Sequence, residues 1–270
     1  MKAAKEAFSF CIAALHKTTL PSVVPVESKM FEVEQKFRLS DPFAFLDAAR
    51  ELGIVWKKRV VEVDTYFQHP ARDFVQTDEA LRIRRHLTFQ GLYGKEQMPE
   101  RVSVESLITF KGPKLDSMAK IRKELELPLS HRMELPPDRF PGFGVRPELE
   151  LATHDVQPLF DLLDTLEETR PAAQWREMLE LLSFRPVQNV RKVRTKAWSL
   201  WEDEPVEFSF DEVPPIGTFA ELEFLASDET AVSGAKSRLL SLSRKMELTD
   251  VEPLSYLTLV IEKLISANQE

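Results

Sequence analysis

Phe31-Glu32-Val33-Glu34-Gln35-Lys36-Phe37-Arg38-Leu39 puts Phe31, Val33, Phe37 and Leu39 on odd positions and Glu32, Glu34, Lys36 and Arg38 on even ones. Side chains of a β-strand alternate between its two faces, so this stretch reads as a strand with one apolar and one fully charged face. Two carboxylates and an ammonium, each ~7 Å from the next, suit divalent cations and phosphate. A solvated strand face can carry the same pattern. Its recurrence along the chain favours a functional face.

The recurrences run in order. Leu81-Arg82-Ile83-Arg84-Arg85 alternates apolar residues with arginine, and Leu107 to Gly112 ends a strand on Lys111. Ile121-Arg122-Lys123-Glu124-Leu125-Glu126-Leu127 repeats the paired acids, and Val190 to Lys196 is strongly basic. Phe208-Ser209-Phe210-Asp211 and Phe219-Ala220-Glu221-Leu222-Glu223-Phe224 return to acids. A closed antiparallel barrel has one face in and one out, so these segments could line one tunnel. A lumen built this way holds Arg82, Arg84, Lys111, Lys192 and Arg194 for phosphate oxygens. Arginine offers a planar fork of donors and lysine a point charge. Glu32, Glu34, Glu221 and Glu223 suit a metal ion, with Asp211 close by and Glu124 and Glu126 as further ligands or as partners that orient the lysines.

These motifs resemble the CYTH superfamily, the triphosphate tunnel enzymes that include class IV adenylate cyclases and thiamine triphosphatases. The Glu-x-Glu-x-Lys signature is matched by Glu32, Glu34 and Lys36. In the family's order follow Asp64-Thr65-Tyr66-Phe67, Leu81-Arg82-Ile83-Arg84, Phe110-Lys111-Gly112-Pro113, Arg122 to Glu126, Phe219 to Glu223 and Ser255-Tyr256-Leu257. The resemblance implies an α+β fold with an eight-stranded antiparallel tunnel and flanking helices. It implies catalytic roles for Lys36, Lys111 and Asp211. Phosphate binding falls to Lys36, Arg82, Arg84, Lys111, Arg122, Lys192 and Arg194. The Mg²⁺ or Mn²⁺ ligands are Glu32, Glu34, Glu124, Glu126, Asp211, Glu221 and Glu223. The substrate is a triphosphate: ATP, tripolyphosphate or thiamine triphosphate. The stretch Val251 to Leu257 and the spacing from Asp211 to Glu221 resemble the cyclase branch, whereas Glu223 completes a pair typical of triphosphatases. A class IV cyclase-like reaction is therefore the leading expectation, a phosphohydrolase the alternative, and a non-catalytic triphosphate-binding module the third. A homodimer is compatible with this reading.

The 270 residues carry a net charge of −8, with 43% hydrophobic and 30% charged content. That balance suits a globular domain and argues against a broad basic surface for nucleic acid. The single Cys11 rules out an internal disulfide and fits a cytoplasmic setting. No run approaches the ~18 apolar residues of a membrane span. Eight glycines and no Walker or Gly-x-Gly-x-x-Gly motif exclude a glycine-rich phosphate cradle. The histidines, His16, His69, His86, His131 and His154, form no ligand spacing and read as exposed or loop residues.

Residues 1–29 read as a poorly ordered appendage, and 30–266 as a single domain with an insertion within 129–170. Ser40-Asp41-Pro42 opens a helix that Gly53 closes. Strands are expected at 58–67, 79–90, 103–111, 119–128, 188–200, 205–212 and 219–226, with a loop over 129–147. Helices are expected at 156–168, 171–182, 229–247 and 252–266. Arg146 to Leu151 echoes the acidic strand at 122–127, which is preferred as the tunnel strand. Trp198 and Trp201 could each cover the tunnel mouth, and Phe31, Phe37 and Phe110 read as core.

Overall fold

The structure, a computed structural model, describes residues 31–91, 99–113, 124–140, 156–166 and 169–269. The appendage at 1–29, Arg122, the start of the strand expected from 119, the acidic echo at 146–151 and much of the expected insertion lie outside the described residues.

Among the described residues nine strands form one antiparallel sheet: β1 (Phe31–Arg38), β2 (Trp56–Gln68), β3 (Ala80–Gln90), β4 (Arg101–Lys111), β5 (Glu124–Pro128), β6 (Met133–Leu135), β7 (Arg185–Trp201), β8 (Glu204–Val213) and β9 (Gly217–Ala226). Eight run in the order β1-β9-β8-β7-β2-β3-β4-β5, and β6 pairs with β4 beyond the end of β5. The long β2, β3, β4 and β7 follow from β-branched and aromatic residues at alternate positions. The 129–147 stretch, read as loop, instead contains β6 and a 3₁₀ turn at Pro137–Arg139. Its prolines bound these short elements, and three residues suffice to pair Met133 to Leu135 with Val104 to Val102.

The sheet curls into a half-barrel. Among the described residues no ladder joins β1 to β5, so the hydrogen-bonded closure expected of a barrel is not made. The five described residues of β5 are exposed. The two edges nevertheless approach: the charges of Glu124 and Lys111 act on Glu32 of β1.

Among the described residues five helices flank the sheet: α1 (Pro42–Glu51), α2 (Gln157–Thr165), α3 (Arg170–Leu181) and α4 (Val232–Lys245) pack on its outer face, and α5 (Tyr256–Ala267) packs on Val190, Val213 and Phe219 at one end of the inner face. Asp41 caps α1 by accepting from the backbone amides of Phe43 and Ala44, and Gly53 takes the left-handed φ of +71° that ends it. Phe45, Leu46 and Ala49 of α1 and Ala235, Leu239 and Leu242 of α4 close over Val33, Phe37, Phe208, Phe210, Leu222 and Phe224. A second core forms where Leu159, Phe160 and Leu163 of α2 meet Val61, Val63, Leu87 and Val193. Because helices bury the apolar parity of every long strand, the charged parity must face the hollow. No helix among the described residues is long and apolar enough to cross a membrane.

Candidate active site in the hollow of the sheet

The charged residues of neighbouring strands meet as cross-strand pairs, because register sets them directly opposite. Asp64 of β2 lies opposite Arg84 of β3 and accepts from it at 2.6 and 2.7 Å and from Arg82 at 3.0 Å. Glu62, opposite Lys192 of β7, sits 3.0 Å from its ammonium and 3.2 Å from Arg84. Arg194 lies opposite Asp211 of β8, binds it at 2.6 and 2.5 Å, and also reaches Glu221 of β9. Lys36 lies opposite Glu221. These side chains are buried or nearly so.

The start of α5 closes this end. Its Ser255 cap accepts from Thr258, which fixes Tyr256 at the first turn. The Tyr256 hydroxyl donates to Asp211 at 2.7 Å, and its ring centroid lies 4.1 Å from the Lys36 ammonium and 5.5 Å from that of Lys192. Lys36 donates to the Leu254 carbonyl. Removing the hydroxyl in Tyr256→Phe is expected to cost about 1.5–3 kcal/mol, the worth of a hydrogen bond to a charged group, read as a lower Tm in thermal unfolding.

The other end is acidic. Glu34 of β1, Glu223 of β9 and Glu207 of β8 lie directly opposite one another across three strands. Like charges so placed repel. Lys196 binds Glu207 at 2.5 Å, and the Trp198 indole nitrogen donates to it at 3.0 Å. On the far wall Lys111 lies 2.7 Å from Glu124, which stands 4.0 Å from Arg82. Thr109 donates to Glu126 at 2.9 Å. His86 of β3 faces Glu105 of β4 at 2.8 Å, with 13% of its side chain exposed. It is thus a strand residue in the hollow, not an exposed or loop histidine, because position 86 shares the parity of Arg82 and Arg84.

Charge follows this division. Burial opposes ionisation of Glu62, but Arg84, Lys192 and Arg194 outweigh it and hold its carboxyl well below the usual range. Asp64 is lowered in the same way, with burial overcome by Arg82 and Arg84. At the acidic end nothing outweighs burial. Glu223 is pushed up to about 8 by desolvation and by the charges of Glu32, Glu207 and Glu34. Glu32 is raised by burial, Glu124 and Glu34. Burial and Asp211 raise the Tyr256 phenol.

A divalent cation fits this donor set. Carboxylate oxygens are hard ligands, and a 2+ charge would relieve the repulsion across the Glu34–Glu223–Glu207 row. Among the described residues no three acids converge as a ready-made cage.

The sign for Glu223 gives a testable outcome. A carboxyl raised from its ordinary 4.5 to about 8 lets the folded state keep a proton that the unfolded chain releases. Glu223 therefore costs stability increasingly as pH rises from about 4.5 to 8. In chelator, Glu223→Gln is expected to melt above the wild type at pH 8 and level with it near pH 4.5. A Tm difference that does not vary with pH would contradict this account.

Of the residues expected from sequence, Glu32, Glu34, Lys36, Arg82, Arg84, Lys111, Glu124, Glu126, Lys192, Arg194, Asp211, Glu221 and Glu223 share the inner face, split between the two ends. Glu62 and Glu207 are not among the residues expected from sequence, and Asp64 and Tyr256 stand there only as parts of motifs. The signal was present: Glu62 and Asp64 alternate in Val61-Glu62-Val63-Asp64, and Glu207 keeps the parity of Asp211. Trp198 faces the hollow, whereas Trp201, three residues on, packs against the core under α1 and α4.

Known proteins share this fold. A solved structure of the PH1819 protein from Pyrococcus horikoshii aligns with a TM-score of 0.55 and 29% identity, covering 86% of this chain and 99% of that one. A Vibrio parahaemolyticus structure, 20% identical with a TM-score of 0.51 over 85% and 97% of the two chains, shares the fold. A Methanocaldococcus jannaschii protein named "Putative adenylate cyclase MJ0240" is 27% identical over 199 residues, 74% of this chain and 79% of its own. The CYTH domain model matches residues 30–254. Since that match takes in every strand of the sheet and the acid and cation rows they carry, the protein belongs to the CYTH domain family.

Proposed function

We propose that the hollow of the sheet binds a triphosphate together with Mg²⁺ or Mn²⁺, and that the reaction is class IV adenylate cyclase-like. The observation that carries this is the separation of two charged ends on one surface, a guanidinium and ammonium cluster and an acidic row. A triphosphate brings about four negative charges, and Arg82, Arg84 and Arg194 each already hold a carboxylate. The added charge is balanced only if the acidic row recruits a cation as the phosphates enter.

In this reading Arg82, Arg84, Lys192 and Arg194 donate to phosphate oxygens, while Glu62, Asp64, Asp211 and Glu221 fix the direction of those donors. Lys36, held by the Leu254 carbonyl, and Lys111, held by Glu124, add point charges from opposite walls. Glu34, Glu207 and Glu223, with Glu32 beside them, would hold the metal, which supplies charge neutralisation and orientation of the phosphates. Tyr256 keeps water out behind the cluster and holds Asp211 in place. Cyclisation joins the ribose 3′-oxygen to the α-phosphorus and releases pyrophosphate. The Methanocaldococcus relative's name and the Ser255-Tyr256-Leu257 segment support this branch.

Hydrolysis, in which water attacks a terminal phosphate and orthophosphate leaves, is the second reading. The participation of Glu223 in the acidic row favours it. Product identity separates the two. Purified protein with Mg²⁺ or Mn²⁺ is given ATP, tripolyphosphate or thiamine triphosphate, and cyclic AMP, pyrophosphate and orthophosphate are measured. Cyclic AMP with equimolar pyrophosphate supports the cyclase. Orthophosphate alone supports the hydrolase. Metal-dependent binding without any product would leave a triphosphate-binding module.

A further inference from the structure

The inner face does not end at the acidic row. One same-face step further along each strand, ~7 Å, its character changes. Trp198 lies opposite Glu207, and beyond it Leu200 lies opposite Pro205. Leu225 of β9, two residues past Glu223, lies opposite Glu32. By parity these residues continue the charged face. Yet Trp198 is 45% exposed, Leu200 66% and Leu225 51%. The opposite parity of the same strands, Ala197, Val206 and Phe224, is buried under helices and accounts for the core. The exposed row therefore lies outside that core, with much of its apolar surface open.

We propose that Trp198, Leu200, Pro205 and Leu225 form a seat for a flat aromatic group attached to the triphosphate, so that this protein selects organic triphosphates over inorganic tripolyphosphate. The inference rests on the triphosphate reading above. Three features argue for this occupant. The row is continuous with the acidic row, with Glu207 joined to the indole of Trp198. The distance from Arg194 to Trp198 along β7 is four residues, ~13 Å, which leaves room for a phosphate chain between guanidinium and indole. The seat is also mixed in a way that suits a base: an indole face for stacking beside short aliphatic surface, with the polar groups confined to one side. Inorganic tripolyphosphate would end within the charged rows and leave the seat in water. ATP and thiamine triphosphate both carry a flat ring, and only measurement separates them.

The test compares affinities for ATP, thiamine triphosphate and tripolyphosphate, each by calorimetry in Mg²⁺, for the wild type, Trp198→Ala, Trp198→Phe and the double variant Leu200→Ser/Leu225→Ser. Trp198→Ala also removes the hydrogen bond to Glu207, which would weaken all three ligands alike. The readout is therefore the ratio of organic to inorganic affinity. That ratio is expected to fall roughly tenfold in Trp198→Ala, the order of a lost base–aromatic stack. It should fall in the double variant too, which touches no hydrogen bond. Trp198→Phe, retaining a ring, should stay near the wild-type ratio. Whichever organic ligand loses more is the one the seat fits. A ratio unmoved in both Trp198→Ala and the double variant, with all three ligands still bound, overturns the seat and leaves the triphosphate reading intact. Loss of a dimer in sedimentation with an unmoved ratio assigns the row to a second copy and also overturns it. A wild type that binds none of the three removes the triphosphate reading and this inference together.

Discussion

Glu34→Gln is expected to lower metal-dependent turnover by about 10²-fold or more, the effect of losing one charge that positions a catalytic metal. The fold should survive. Gln keeps the size of Glu34, and the substitution removes one charge from a repelling row. Glu223 lies directly opposite and is raised in part by the Glu34 charge, so the lost charge also eases its ionisation. The variant should therefore melt at or above the wild-type temperature in chelator and show a smaller Tm gain on adding Mg²⁺ or Mn²⁺. Turnover and thermal scans with and without EDTA check this together. Wild-type kinetics in the variant, or full turnover in EDTA, would remove the metal from the reaction.

Arg84→Met should cost stability instead, about 3–5 kcal/mol, the range for removing one partner of a buried ion pair. Arg84 serves both Asp64 and Glu62, and both carboxylates are left in the hollow with weaker compensation, from Arg82 and Lys192 respectively. The pH dependence has a definite sign. Carboxyls held below their ordinary values contribute stability that is present above pH ~4 and lost as pH falls through the folded-state values. With Arg84 gone that depression shrinks. The gap between wild type and variant should therefore be widest at neutral pH and narrow below pH ~4. Denaturant unfolding at a series of pH values measures it. A gap that widens on acidification would show that Arg84 acts through packing rather than charge. Triphosphate affinity should fall as well, since Arg84 is one of the donors assigned to the phosphates.

The strand alternation was legible because it is local: a period of two needs no knowledge of the rest of the chain. Phe31 to Leu39 alone specifies which residues share a face, and the same rule applied to Arg82, Arg84, Lys192, Arg194, Glu221 and Glu223 gave the composition of the inner surface. Helix ends marked by Asp41 and Gly53 were legible for the same reason. Partnership was not. That Arg194 holds Asp211 while Glu223 meets Glu34 and Glu207 depends on register between strands far apart in sequence, fixed by which apolar residues the helices cover. The alternation of Glu62 and Asp64 with Val61 and Val63 shows which face they share, but not that they hold Lys192, Arg82 and Arg84. The fate of the two tryptophans turned on parity, since Trp198 and Trp201 are an odd number of residues apart on one continuous strand. The unclosed edge between β1 and β5, and Tyr256 as the stopper at one end, were set by the curl of the sheet and by where α5 docks. The sequence alone determined which charges this protein can present together. Only the tertiary structure decided which of them neutralise one another and which are left to repel, because a Coulomb energy depends on distances and burial that no single strand contains.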